Sequence, residues 1–90
     1  MNFDWDKIMK FNTVVLCDTE EKSRELLAWA DSRGLKWTEG ETYLELSYYT
    51  RYLNEICYYL YNGQCNASIW FKDKGFEILN YEDVLLSQAY

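Results

Sequence analysis

Glutamates and tyrosines alternate along one stretch of the chain, and these side chains are the best suited to act on a partner. Carboxylates at such intervals, with flat rings between them, can imitate a nucleic-acid strand for a basic groove. Tyrosine also suits interfaces, because it combines a large apolar ring with a polar tip. The alternative is that several rings cover a sheet while the acids keep the surface solvated. We predict a protein-binding role for Glu39, Glu41, Tyr43, Glu45, Tyr48, Tyr49, Tyr52 and Glu55.

Enzymatic chemistry has little support in the sequence. The chain contains no histidine, which excludes Ser-His-Asp and Cys-His nucleophile systems. It also lacks a glycine-rich loop of the kind that cradles phosphate after a strand. Carboxylates are paired at Glu39/Glu41 and Glu82/Asp83, but neighbouring acids in loops are usually only solvated. We therefore predict a protein that is not an enzyme, with no catalytic residue and no cofactor.

The three cysteines, Cys17, Cys57 and Cys65, do not form a metal-binding pattern. None belongs to a C-x-x-C motif and no histidine is present, so no zinc site is predicted. If Asn62-Gly63 forms a two-residue hairpin turn, Cys65 pairs with Leu60. Cys57 then points to the opposite face, which disfavours a disulfide between Cys57 and Cys65. We expect reduced, mostly buried thiols, as is typical of a cytosolic protein.

Composition favours one small acidic domain over residues 1–90. The chain has 15 acidic and 9 basic residues and a net charge of −6. This balance argues against direct binding to a nucleic-acid backbone and favours either a basic partner or simple solubility. No apolar run of about 18 residues is present, so no membrane span is expected. The acidic start of the chain lacks a signal-peptide pattern, which indicates the cytosol.

The clearest local structure is a strand, a helix and a second strand between residues 13 and 38. An apolar run rich in β-branched residues predicts a strand over 13–17. Asp18 or Thr19 can cap a helix that extends to residue 33, and Gly34 is the expected left-handed residue after it. We predict a further strand over 34–38, with Trp37 in the core.

The remaining elements complete an α+β fold. Asp4 caps a first helix over 5–10, and residues 43–54 are either an extended excursion or a helical stripe of Tyr48, Tyr49, Tyr52 and Leu53. Asn62-Gly63 predicts a type I′ turn between strands 55–61 and 64–67. Ser68 caps a helix over 69–74, unless that strand continues to Phe71. The predicted ends are a strand over 76–81 and a short helix over 84–86. We predict one four- to five-stranded mixed or antiparallel sheet, covered by one main helix with short terminal helices.

A second set of rings, Tyr58, Tyr59, Tyr61 and Tyr81, suggests a different function. These rings could stack a nucleobase, but no basic residue nearby would hold a phosphate, so core packing is the favoured interpretation. The alternative function is a sponge for a nucleotide signal, in which a homo-oligomer could form the pocket between its chains.

Several short motifs spread along the chain resemble a group of viral proteins. The motifs are Asp4-Trp5-Asp6-Lys7, Val15-x-Cys17 before Thr19-Glu20-Glu21, Gly34-Leu35-Lys36-Trp37-x-x-Gly40, Cys57-Tyr58-Tyr59 and Gly75-Phe76-x-Ile78-Leu79. The chain resembles short acidic proteins encoded by tailed phages of Gram-positive bacteria. The motifs are caps, turns and core aromatics, and residues 41–54 and 62–68 match none of them, so specificity is expected there.

The resemblance implies an accessory protein that acts in the host cytoplasm. Such proteins often inhibit host defence, including CRISPR effectors, so the expected function is non-enzymatic inhibition through a basic surface. A structural phage protein without a defence role is a further alternative.

Overall fold

A four-stranded mixed sheet organises the part of the chain that the computed structural model describes, residues 3–44 and 47–86. Its strands are β1 (Thr13–Leu16), β2 (Ile56–Tyr59), β3 (Gln64–Ala67) and β4 (Glu77–Asn80). They lie in the order β3-β2-β1-β4, with antiparallel pairing of β1 with β2 and of β2 with β3, and parallel pairing of β4 with β1. The predicted α+β class with a single mixed sheet is confirmed.

The main helix, α2, runs from Glu20 to Ser32. Of the two predicted caps Thr19 is the one used, because its hydroxyl accepts a hydrogen bond of 3.1 Å from the backbone N–H of Lys22. Asp18 instead pairs with the Lys22 ammonium at 2.8 Å, so the helix begins after Asp18. Gly34 follows the helix with a φ of +82°, as its position predicts.

Helices lie on both faces of the sheet. On one face, Leu26 and Leu27 of α2 join Tyr58 of β2 in the larger hydrophobic cluster. On the other, Phe71 of α4 (Ser68–Asp73) packs with Val14, Cys57 and Tyr59. Residues in β2 are therefore buried whichever way they point, and the strand predicted over 55–61 is confirmed at Ile56–Tyr59.

The strand predicted over 34–38 is wrong. Its backbone bonds go into a turn, in which Trp37 N–H donates to Glu41 at 3.0 Å and Gly40 N–H donates to Trp37 at 2.8 Å. Only an isolated bridge, between Lys36 and Thr42, has strand character. Trp37 is nevertheless a core residue, 5 % exposed, as predicted.

The two-residue turn predicted at Asn62-Gly63 is also wrong. Tyr59 pairs with Gln64, so residues 60–63 form a longer loop. Leu60 is buried in the core instead of pairing with Cys65, and Gly63 has a positive φ of +70° while Asn62 does not. Burial of Leu60 against the larger cluster overrides the local turn signal. The three cysteines are free.

The segment after the hairpin is helical, which confirms one of the two predicted alternatives. The cap is different, because Ala67 occupies the cap position and makes no side-chain cap hydrogen bond. The Ser68 hydroxyl instead donates to the Glu55 carboxylate. The predicted strand over 76–81 is confirmed as β4.

Helical segments near both ends are shorter than predicted. Helix α1 spans Trp5–Ile8, and the predicted cap Asp4 accepts from the first turn. A 3-10 helix at Tyr81–Val84 takes the place of the helix predicted over 84–86. Leu85 forms an antiparallel bridge to the N-terminal segment instead. Within the described ranges, no helix has the length and apolarity needed to cross a membrane.

The position of Gly63 generates a stability prediction. A Cβ at this position would lie 2.6 Å from Lys36 O and 2.7 Å from Thr38 N, whereas one at Gly34, with a similar φ, would meet nothing within 4 Å. We expect Gly34→Ala to cost about 1–2 kcal/mol for the left-handed backbone. Gly63→Ala should cost roughly 1–3 kcal/mol more, because backbone atoms must move.

Chemical denaturation of both variants measures this difference in the free energy of unfolding. Equal costs for the two variants would contradict the close approach between the hairpin and the Trp37 turn.

Candidate ligand-binding cleft

A cleft of about 310 Å³ lies beside the edge strand β3. Its walls come from the turn after Trp37, from α3 (Tyr49–Tyr52) with the residue before it, and from Trp70 of α4. This volume is at the lower end of the range for small-molecule sites, about 300–1,000 Å³. The cleft therefore joins three segments that are distant in the sequence.

Trp37 forms the packed base of the cleft. Its ring lies 4.6 Å from that of Tyr43 and 5.0 Å from that of Tyr48 between centroids, both in edge-to-face geometry. Edge-to-face ring pairs stabilise a fold by more than the burial of their apolar surface alone. Tyr48 is thereby held at the cleft wall, whereas Tyr43 lies behind Trp37 in the core.

Unusual backbone geometry brackets α3. Tyr48 and Leu53, the residues on either side of it, have φ values of +58° and +55°. Bulky side chains rarely adopt such angles, and the strain requires support from the surroundings. Two tyrosines supply it: Tyr58 donates to Ser47 O at 2.6 Å and Tyr49 donates to Asp18 O at 3.3 Å.

Arg51 brings positive charge to the cleft. Its guanidinium carbon lies 5.8 Å from the centroid of the Tyr48 ring, a cation–π distance. The ion pairs among the described residues all involve Lys22 or Arg24 of α2, so Arg51 has no carboxylate partner there. Its charge is available to a ligand.

The edge strand supplies polar groups. Asn66 Oδ1 accepts from the backbone N–H of Ala67 at 2.7 Å, which leaves the amide NH₂ of Asn66 as a donor. Gln64 is exposed on the same wall. Burial raises the pKa of the Cys65 thiol to about 11, although the nearby Arg51 charge opposes the shift.

The predicted partner-binding residues are divided by the fold. Glu39 and Tyr52 line the cleft together with Tyr48. Glu41 belongs to the same turn, and its charge with that of Glu39 adds to the effect of desolvation in raising the pKa of Tyr48.

The other members of the set lie apart from the cleft. Tyr43 is only 2 % exposed, so its ring belongs to the core and is not on the surface. The Tyr49 hydroxyl is turned toward the start of α2. Glu55 accepts a hydrogen bond from Ser68, which follows the end of β3 that lies about 10 Å along the strand from Gln64. Glu45 lies outside the described residues.

The second predicted ring set is mostly core, which is the favoured interpretation. Tyr58, Tyr59 and Tyr81 are buried, and only Tyr61 of this set is exposed, in contact with Phe11.

The predicted site residues did not include Arg51, Trp70 or the β3 amides. The Tyr-Thr-Arg-Tyr run, with a cation between rings, is the signal that could have indicated Arg51.

Comparison with protein-family models, with curated proteins and with solved structures finds no match to this chain. No group of three or more metal-ligating side chains is found in the described ranges 3–44 and 47–86. Function must therefore be inferred from the chemistry of the cleft and of the surface around it.

Tyr58 generates a prediction about how the cleft is held. Tyr58→Phe keeps the ring but leaves Ser47 O without its donor, which should cost about 1–2 kcal/mol of unfolding free energy. Amide hydrogen exchange should become faster across residues 47–53, because the strained segment loses its anchor.

Tyr59→Phe is the matched control, since Tyr59 accepts from Asn12 N on the opposite face of the sheet. It should leave exchange over residues 47–53 unchanged. Equal acceleration in both variants would show that Tyr58 does not anchor the cleft.

The thiols generate a second prediction. Burial raises the pKa of Cys57 to about 12 and that of Cys65 to about 11, and it also raises the pKa of Cys17. At pH 8 the thiolate fraction of Cys65 is then about one in a thousand, against roughly a quarter for a free cysteine. We expect Ellman's reagent to react very slowly with the folded protein and rapidly once guanidinium unfolds it.

The part of the folded-state reaction rate with Ellman's reagent that is lost in Cys65→Ser is the rate of the Cys65 thiol in the cleft. That rate should rise about tenfold per pH unit between 8 and 10. A folded-state thiol that reacts as fast as a free cysteine at pH 8 would contradict this.

Proposed function

We propose that this chain is a non-enzymatic inhibitor, encoded by a phage, that binds a basic nucleic-acid-handling surface of a host defence protein. A CRISPR effector in the host cytoplasm is the partner class that the motif resemblance favours. The proposed docking surface consists of Glu39, Glu41, Tyr48 and Tyr52 around the mouth of the cleft.

The supporting observation is that Glu39 and Glu41, which share one turn at the cleft, take no part in the ion pairs of the described residues. In the described residues, the ion pairs lie on and beside α2, where Lys22 pairs with Asp18 and Glu82 and Arg24 pairs with Glu20. None of them involves Glu39 or Glu41. These two carboxylates are therefore not held in an ion pair with a described residue, and they are available to a basic partner.

Trp70, an exposed aromatic side chain, lines the same cleft as Glu39. The hydrogen bond between Ser68 and Glu55 joins two segments that carry Leu53, 55 % exposed, and Trp70, 44 % exposed. An interface typically combines such apolar anchors with a charged rim. The acids would accelerate association with the basic groove, and the apolar side chains would slow dissociation.

Charge reversal tests the proposal. Glu39→Lys/Glu41→Lys should weaken capture of the partner from host lysate roughly tenfold at low salt, because a rim charge acts mainly on encounter. High salt should likewise weaken capture of the partner by the unmodified protein, because salt screens the charges. The captured protein should lose nucleic-acid binding when the unmodified inhibitor is present.

Asp6→Lys/Glu77→Lys is the control with the same charge change, since these exposed acids belong to α1 and to the opposite edge strand β4. It should retain capture. Capture that is insensitive to salt, or equally lost in both variants, would refute a docking surface around the cleft.

A further inference from the structure

The cleft contains a feature that an acidic docking surface does not require. Arg51 places a guanidinium among rings on a side of the molecule that otherwise presents Glu39 and Glu41. A groove that only attracts basic partners would be weakened by this cation, so Arg51 calls for a different ligand.

We propose that the cleft binds a nucleoside monophosphate, with Arg51 on the phosphate and the base against the rings of Tyr52 and Trp70. This second activity goes beyond the proposed inhibition. It also places the site within one chain, unlike a pocket shared between the chains of a homo-oligomer.

Phosphate recognition depends on Arg51. Its planar guanidinium can donate two parallel hydrogen bonds to phosphate oxygens, and these are stronger than neutral hydrogen bonds because both groups are charged. The side chain is exposed and forms no ion pair with a described residue, so no such pair must be broken when phosphate binds.

Base recognition depends on the two exposed ring walls. Trp70 is 44 % exposed, and Tyr52 is half-buried on the same cleft. Trp70 already packs edge-on against Phe71, and the Lys74 ammonium lies 5.4 Å from its ring centroid. These contacts hold the indole in place, and stacking on a fixed ring is a general mode of base binding.

The polar wall can contact the edge of the base. The free NH₂ of Asn66 and the exposed amide of Gln64 offer both donors and an acceptor along β3. The cleft thus combines flat rings, amides and one cation, which together match a base joined to a phosphate.

Charge at the cleft limits how many phosphates the ligand carries. Among the described residues that line the cleft, Arg51 is the only cation and Glu39 is the only acid. A second or third phosphate would meet Glu39, and the described lining offers no further cation there, because Lys74 contacts the Trp70 ring without lining the cleft. The same repulsion, with the net charge of −6, disfavours an oligonucleotide.

The strained backbone around α3 supports a preformed site. Tyr48 and Leu53 hold positive φ values on either side of the turn that carries Arg51. Strain of this kind persists where the surroundings fix it and often accompanies ligand sites. Because the backbone of the turn is fixed before binding, only the Arg51 side chain remains to be ordered there.

Calorimetric titration of the purified protein with AMP, GMP, CMP and UMP tests the proposal. We expect saturable binding of at least one of them at one ligand per chain, with quenching of tryptophan fluorescence. Arg51→Gln should bind at least about tenfold more weakly. Lys72→Gln, which removes an exposed cation of α4 outside the cleft, should bind within about twofold of the unmodified protein.

Further ligands separate the two halves of the site. Inorganic phosphate and the unphosphorylated nucleoside should each bind more weakly than the monophosphate, and ATP should bind more weakly than AMP. The proposal is overturned if no monophosphate saturates, if Arg51→Gln binds as well as the unmodified protein, or if phosphate alone binds as tightly as AMP. Because these titrations contain no partner protein, their outcome is independent of the inhibition assay.

Discussion

Burial of both faces of a very short sheet is the constraint on which this fold depends. Strand β2 spans only Ile56–Tyr59, yet all of its residues are buried. A sheet this small cannot leave one face in water and still bury enough apolar area in a chain of 90 residues. Helix α2 covers one face, and Phe71 of α4 covers the other.

Aromatic side chains make this two-sided burial possible. Trp37 contacts the rings of Tyr43, Tyr48 and Tyr58, and thereby connects the core to the base of the cleft. On the other face, Tyr59 contacts Phe71 and Phe76. Large rings fill the volume that longer elements supply in bigger domains. Rings that continue from the core to the surface also give the cleft its rigid walls.

Caps, glycines and residue alternation predicted those elements whose bounds are set by neighbouring residues in the sequence. Helix α2 begins after Thr19 and ends before Gly34, and the alternation over residues 55–61 indicated a strand, which the structure has at Ile56–Tyr59. The Asn62-Gly63 turn failed because burial of Leu60, a tertiary effect, moved the register. Local patterns could not predict the cleft, because its walls come from three distant parts of the chain and no local pattern indicates that these parts meet.

The parallel pairing of β1 with β4 has a consequence for synthesis of the protein. β1 lies near the start of the chain, and its outer neighbour consists of residues 77–80. Until the ribosome has released that last strand, one side of β1 carries unpaired backbone groups, which invite pairing with another nascent chain. The nascent polypeptide must therefore reach residue 80 before β1 is paired on both sides, and a product that stops before residue 77 would be prone to aggregate.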